Sequence, residues 1–218
     1  VCSGTTSSSI TVTATTGTPI NYTIDYDAAA NTAGFTDISS AVSLTGASYA
    51  IPSGASAGTY NGTMTYIDAN GCSGTDAFTI TVNANPVATT NNAVVCSGTT
   101  SSSITVTATT GTPINYTIDY DAAANTAGFT DISSAVSLTG ASYAIPSGAA
   151  AGTYNGTMTY IDGNGCSGTD AFTITVNANP VATTNNVAVC SGVTSSSITL
   201  TATTGTPINY TIDYDGPA

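Results

Sequence analysis

Apolar and polar residues alternate with a period of two along most of this chain. Ile10, Val12 and Ala14 fall on one side, with Thr11 and Thr13 between them. Ile20, Tyr22, Ile24 and Tyr26 alternate with Asn21, Thr23 and Asp25. Tyr60, Met64 and Tyr66 alternate with Asn61, Thr63 and Thr65, and Phe78, Ile80 and Val82 with Thr79 and Thr81. Such alternation puts successive side chains on opposite faces of a pleated strand. Shorter strands are expected around residues 35–38, 42–44 and 49–51. Gly17-Thr18-Pro19, Pro52-Ser53-Gly54 and Ala69-Asn70-Gly71 read as turns between them. Ala28-Ala29-Ala30 supports one helical turn at most. About seven short strands separated by turn signals predict an all-β fold, an Ig-like sandwich.

The pattern then starts again. Val1-Cys2-Ser3-Gly4-Thr5-Thr6 returns at Val95 and, with one change, at Val189, a period of 94 residues. Residues 1–94 and 95–188 differ only at Ser56/Ala150, Ala69/Gly163, Ala93/Val187 and Val94/Ala188. A repeat of this length exceeds a solenoid unit and matches one independent sandwich. The expected organisation is therefore beads on a string. Residues 1–83 form a first sandwich without its leading strand, 84–177 a second, and 178–218 an incomplete third. Residues 83–92 join one bead to the next, and part of that segment is expected to serve as the first strand of the following bead. Near-identity between copies suits a role that depends on length or valency.

Composition narrows the chemistry. The chain has no Lys, Arg or His, and its twelve acidic groups, all Asp, give a net charge of −12. No side-chain ion pair is available, so stability must come from apolar burial, backbone hydrogen bonds and covalent links. Nucleic acid and anionic membrane surfaces are poor partners for a chain without cations. No apolar run approaches the length of a membrane span. With no His or Lys to serve as a base, a Ser or Cys nucleophile has no activating partner, and an enzyme is not expected.

Three segments carry a family resemblance. Val1-Cys2-Ser3-Gly4-Thr5-Thr6, Asn21-Tyr22-Thr23-Ile24, and the stretch from Gly58 to Cys72 with its Asp68-Ala69-Asn70-Gly71-Cys72 ending resemble the PKD-like and Ig-like repeats of giant surface adhesins of Bacteroidota. The resemblance covers essentially the whole chain. It implies a sandwich fold, export to the cell surface, often by the type IX system, and roles in adhesion or gliding. Tyr22 or Tyr26 stands where such repeats often carry Trp, and no sorting domain is present in these residues.

The candidate site residues are few. Cys2 and Cys72 occupy matching places to Cys96 and Cys166. Outside the cell such pairs persist as disulfides, and two thiolates without His make a poor zinc site. The expected bonds are Cys2–Cys72 and Cys96–Cys166, each a staple at one end of its own bead. Cys190 is expected to lack an intrachain partner, its mate falling near residue 260. Asp68, with Asn70 and Gly71, resembles part of a hard-oxygen loop, and Asp25, Asp27 and Asp76 are the further candidate calcium ligands. The competing reading is that Asn70-Gly71 simply makes a hairpin turn. Thr-x-Thr pairs suit exposed strand faces, and the Asn-x-Thr triplets at Asn21, Asn61, Asn115, Asn155 and Asn209 are frequent enough to arise by chance. The expected role is a stalk or spacer, with neighbouring repeats as its partners. The alternatives are a filament subunit that pairs with copies of itself and a glycan-binding repeat, which would show exposed coplanar Tyr rings.

Overall fold

A computed structural model describes residues 1–13 and 16–213, and nearly all regular structure in it is β. The first unit contains β1 (Ser7–Ser9), β2 (Pro19–Tyr26), a short helix α1 (Ala28–Thr32), β3 (Ile38–Ser43), β4 (Ser48–Ala50), β5 (Gly58–Asp68) and β6 (Ser73–Val82). One antiparallel sheet has the order β3-β2-β5-β6, and β1 pairs with β4 in a second layer. The next unit follows the same plan with β7 (Val87–Thr90), β8 (Ala93–Cys96), β9 (Ser101–Ser103), β10 (Val106–Thr110), β11 (Pro113–Tyr120), α2 (Ala122–Thr126), β12 (Ile132–Ser137), β13 (Ser142–Ala144), β14 (Gly152–Asp162) and β15 (Ser167–Asn177). Its main sheet gains a strand, β12-β11-β14-β15-β8, and it has two small pairs, β13-β9 and β10-β7. Beyond it, β16 (Val181–Thr184) pairs with β17 (Leu200–Thr204).

Alternation along the strands decides what is buried. Tyr22, Ile24, Tyr26, Met64, Ile80 and Val82 turn inward and pack with Phe35, Ile51 and Ala55, while half-buried Ile10, Leu44 and Tyr49 lean on them. Ile20 stays exposed, at the register shift between Pro19 and Asn21 where β2 pairs with β5. The second unit has its own core from Ala88 to Val176. α1 is the one helical turn expected: its Asp27 N-cap accepts a 2.7 Å hydrogen bond from Ala30 N, and fully buried Ala30 is its contact with the core. The expected strand at 35–38 begins only at Ile38, because Phe35 follows the helix and plugs the core. Ala14 lies outside the described residues. Val12 and Thr13 are unpaired in the first unit, whereas their counterparts Val106 and Thr107 pair with Thr90 and Thr89.

Aromatic rings fill the middle of each core, and glycine makes room for them. Gly62 lies opposite Phe78 in register; a Cβ there would stand 2.5 Å from the Phe78 Cζ and 3.2 Å from the Tyr26 ring. Gly156 has the same relation to Phe172. Gly156→Ala is expected to cost about 1–3 kcal/mol through overpacking, read as a lower denaturant midpoint for one of two transitions. An unchanged midpoint would show that the ring moves aside freely.

The same burial perturbs the phenols. Tyr26 and Tyr120 are pushed up to about 12, mainly by desolvation and then by neighbouring Tyr and Asp groups. Their folded values lie above the unfolded one near 10, so the stability they contribute is complete below that value and is lost as pH rises through about 12. No Lys or Arg titrates in this window. Tyrosinate absorbance and far-ultraviolet ellipticity are therefore expected to change together between about pH 10 and 12; phenol ionisation near 10 with the fold intact would contradict this.

Candidate interaction site at the junction of the units

β6 leads through residues 83–86 into β7, and this step is held on both sides. Cys2 forms a parallel bridge with Asn83. Ser3 N donates to the Asn83 carbonyl at 2.8 Å, Asn83 N donates to the Val1 carbonyl at 2.8 Å, and Asn85 Nδ2 donates to the Ser3 carbonyl at 3.2 Å. Pro86 is fully buried. Its fixed φ and missing N–H suit an entry point that needs no ladder bond. The chain then crosses the second unit from one layer to the other: β7 pairs antiparallel with β10, and β8 pairs parallel with β15.

Along that path the strand is read by side chains. Thr90 N donates to Asp170 Oδ2 at 2.7 Å, and the Thr90 hydroxyl is bonded to the Tyr160 hydroxyl. Tyr143 donates its hydroxyl to the Asn91 carbonyl at 2.7 Å, and Thr173 N donates to Asn92 Oδ1 at 2.8 Å. A Cβ on Gly168 would collide with the Pro86 carbonyl. The exit from the second unit repeats the entry: Ser97 N donates to the Asn177 carbonyl at 2.8 Å and Asn179 Nδ2 to the Ser97 carbonyl at 3.0 Å.

The cysteines serve this junction and not the single bead. Cys2 is bonded to Cys166, with Cα atoms 5.3 Å apart, while Cys72, Cys96 and Cys190 are exposed and free. The expected pairs Cys2–Cys72 and Cys96–Cys166 are thus corrected. The reason is the direction of strand pairing. Cys2 bridges Asn83, just past the end of β6, and Cys72 precedes its start. Ten strand residues, about 33 Å, separate the two ends. Cys96 and Cys166 stand at opposite ends of β15 in the same way. Parallel pairing of the first strand with the last puts the two cysteines of one repeat at opposite ends and brings unlike cysteines of consecutive repeats together. Equal spacing in the two copies is compatible with either connectivity, so sequence spacing alone misses this.

The first unit presents the counterpart of this surface uncovered. Its chain starts at Val1, the counterpart of Val95. The face that residues 86–92 cover in the second unit is an open groove of about 750 Å³, with Val12, Thr13, Pro19, Tyr66, Gly74 and Asp76 on its walls. Burial changes accordingly between matched residues. Cys166, Tyr160 and Tyr143 are completely buried, whereas Cys72 is exposed and Tyr66 and Tyr49 are half-buried.

The candidate calcium ligands do not converge, and no cluster of three such groups occurs among the described residues. Asp27 caps α1 and accepts from Asn61 Nδ2 at 3.2 Å; the Ala30 N–H, then Asn61, hold its carboxyl below the usual range. Asp25 stands opposite Thr63, five strand positions, about 17 Å, from Asp68. Asp68 Oδ1 accepts from Asn70 N and Cys72 N, both at 2.8 Å, and Gly71 has φ +80°, so this segment is a hairpin turn closed on itself. Asp76 lies on the groove wall. Of the tyrosines among the described residues, only Tyr210 is exposed, so no coplanar pair of exposed rings is present there.

No family model matches the sequence, and no curated protein matches it. Among solved structures, the fibronectin(III)-like modules of Clostridium thermocellum CbhA are similar at 16% identity and a TM-score of 0.42, over 77% of this chain and 83% of that one. Drosophila N-cadherin EC1-3 is similar at 17% identity and a TM-score of 0.34, over 74% of this chain and 56% of that one. The human desmocollin-1 ectodomain is similar at 16% identity and a TM-score of 0.32, over 81% and 37%. The chain thus spans about half or less of the two cadherin-type ectodomains. These likenesses are distant, and the sandwich assignment rests on the strand pairing described above.

Peptide mapping of the monomer without reduction is expected to recover a Cys2–Cys166 link, with the other three thiols open to alkylation. Cys2→Ser is expected to lower stability by at most about 5 kcal/mol, the chain-entropy value for a closed loop spanning 164 residues. Recovery of Cys2–Cys72 instead would return the bond to the single bead.

Proposed function

We propose that this chain is a spacer segment of an extracellular repetitive surface protein, holding other domains away from the cell, and that it has no catalytic role. The observation that carries this reading is the junction. Two nearly identical units follow each other through residues 83–86, with hydrogen bonds across the step and a Cys2–Cys166 bond locking it. A hinged connector between independent domains has no need of such a lock. A disulfide built into the junction also suits an oxidising compartment. The resemblance to Bacteroidota surface repeats points the same way, as does a surface free of Lys and Arg, which denies trypsin-type proteases a cleavage site.

Small-angle scattering tests the spacer reading. Each complete unit adds about 40 Å by strand length, so a maximum dimension of about 90 Å or more is expected. A radius of gyration near 17 Å, that of a compact chain of this length, would overturn it.

A further inference from the structure

The Cys2–Cys166 bond has one closed side and one open side. Cys166 is completely buried, and Cys2 is half-buried. What closes the Cys166 side is internal to the chain. Cys166 stands just before β15 and shares a face with Gly168 and Asp170. The strand that follows the junction runs over that face. Fully buried Pro86 packs on Gly168, its carbonyl standing where a Cβ would be, and Thr90 N donates to Asp170 Oδ2 at 2.7 Å.

The surroundings of Cys166 also hold nothing that would steady a sulfur anion. The Cys166 N–H is already committed, donating to Asp162 Oδ1 at 2.9 Å, and Asp162 N donates to the Cys166 carbonyl at 3.0 Å. Asp162 is buried as well, so its carboxylate is held against the sulfur-bearing residue where water screens it little. No Lys, Arg or His occurs anywhere in the chain to offset it. Thiolates form readily beside such cations or at helix N-termini, and burial or a like charge disfavours them.

Thiol–disulfide exchange needs an accessible sulfur to attack and a leaving sulfur able to take the electron pair. We propose that Cys2–Cys166 is a strand-gated disulfide: a thiol enters only at Cys2 Sγ, and Cys166 departs only while residues 86–92 are lifted from β15. In the first step a glutathione thiolate bonds to Cys2 Sγ. The Cys2–Cys166 bond breaks, and its electron pair goes to Cys166 Sγ, which takes a proton from water. A second glutathione thiolate then attacks the glutathione sulfur of the mixed disulfide. Oxidised glutathione leaves, and the Cys2 thiolate takes up a second proton. The gate governs the rate of reduction and leaves the equilibrium to the surroundings. It also gives Asp162-Gly163-Asn164-Gly165-Cys166 a role beyond that of a hairpin, since the carboxylate that closes the turn at Asn164 N is the one bonded to the cysteine amide. The gate concerns this bond alone and does not depend on the spacer reading.

The test uses the whole chain, its exposed thiols first alkylated under native conditions. Reduced glutathione is added, samples are quenched in acid, and peptides are mapped. Mixed disulfide is expected on Cys2 and not on Cys166. Loss of the bond is expected to be at least about a hundredfold slower in native buffer than in denaturing urea, because reduction waits for a local opening. Asp162→Asn keeps an oxygen acceptor for the Cys166 N–H and removes the charge. It is expected to keep the parent unfolding midpoint, to speed reduction about threefold or more in native buffer, and to leave the rate in urea unchanged. Gly168→Ala, whose added carbon meets the Pro86 carbonyl, is expected to bring the native rate toward the rate in urea while far-ultraviolet ellipticity is kept. Glutathione found on Cys166, equal rates for the parent in native buffer and urea, or a folded Asp162→Asn or Gly168→Ala chain reduced at the parent's native rate would each overturn the proposal.

Discussion

The structure depends on one strand that belongs to two places. Residues 86–96 begin as the continuation of the first unit's last strand and end as the edge of the second unit's main sheet. Between those points they close the second core: Ala88 and Ala93 enter it, and with the strand in place Tyr143, Tyr160 and Phe172 become almost wholly buried. The first unit shows what the strand contributes, since the same residues without it stay partly open to water. Two copies differing at four positions thus reach different degrees of burial for a reason outside their own sequences. The core of the second unit is thus completed by residues that lead out of the first.

A chain without a single basic side chain still uses its carboxylates. Asp27 and Asp121 cap helices, Asp37 and Asp131 accept from Tyr26 N and Tyr120 N, Asp68 and Asp162 close hairpins, and Asp170 takes a strand N–H. In each case a backbone N–H stands where a cation would stand elsewhere. Charge-assisted bonds of this kind fix local geometry without needing a partner side chain. Their positions are set by turns and caps, which explains why the acidic groups among the described residues are dispersed and do not gather into a cation site.

Much of the fold was legible because its signal is local. The period-two alternation of Tyr22, Ile24 and Tyr26 placed a strand and its buried face, and Asn70-Gly71 placed a hairpin. The run Ala28-Ala29-Ala30 allowed one helical turn, but Asp27 was read as a calcium candidate and not as its cap, and the following strand was expected three residues early. The role of residues 83–92 as a leading strand was also visible, because the repeat showed the first copy to lack it. The disulfide was not legible. Cys2 and Cys72 recur together in the sequence, and period and spacing do not reveal whether the first and last strands of a unit run parallel. That direction, set by the crossing of residues 86–96 between layers, decides which end of the sandwich each sulfur occupies. The candidate calcium site failed for a related reason: Asp25 and Asp68 are adjacent in pattern but stand at opposite ends of paired strands.

The bond from Cys2 to Cys166 also determines how the chain carries tension. A pull applied at Val1 reaches Cys2, crosses to Cys166, and continues along β15 toward residue 177 and beyond. The 164-residue interval between the two sulfurs, which holds the first unit and most of the second, lies outside that load path. While the bond is intact those residues bear no force, and about 560 Å of contour stays hidden at roughly 3.4 Å per residue. Mechanical strength at this junction therefore resides in one covalent bond and one strand. Reduction would turn an inextensible tether into one that can lengthen by unfolding, so the redox state of the surroundings sets the compliance of the chain.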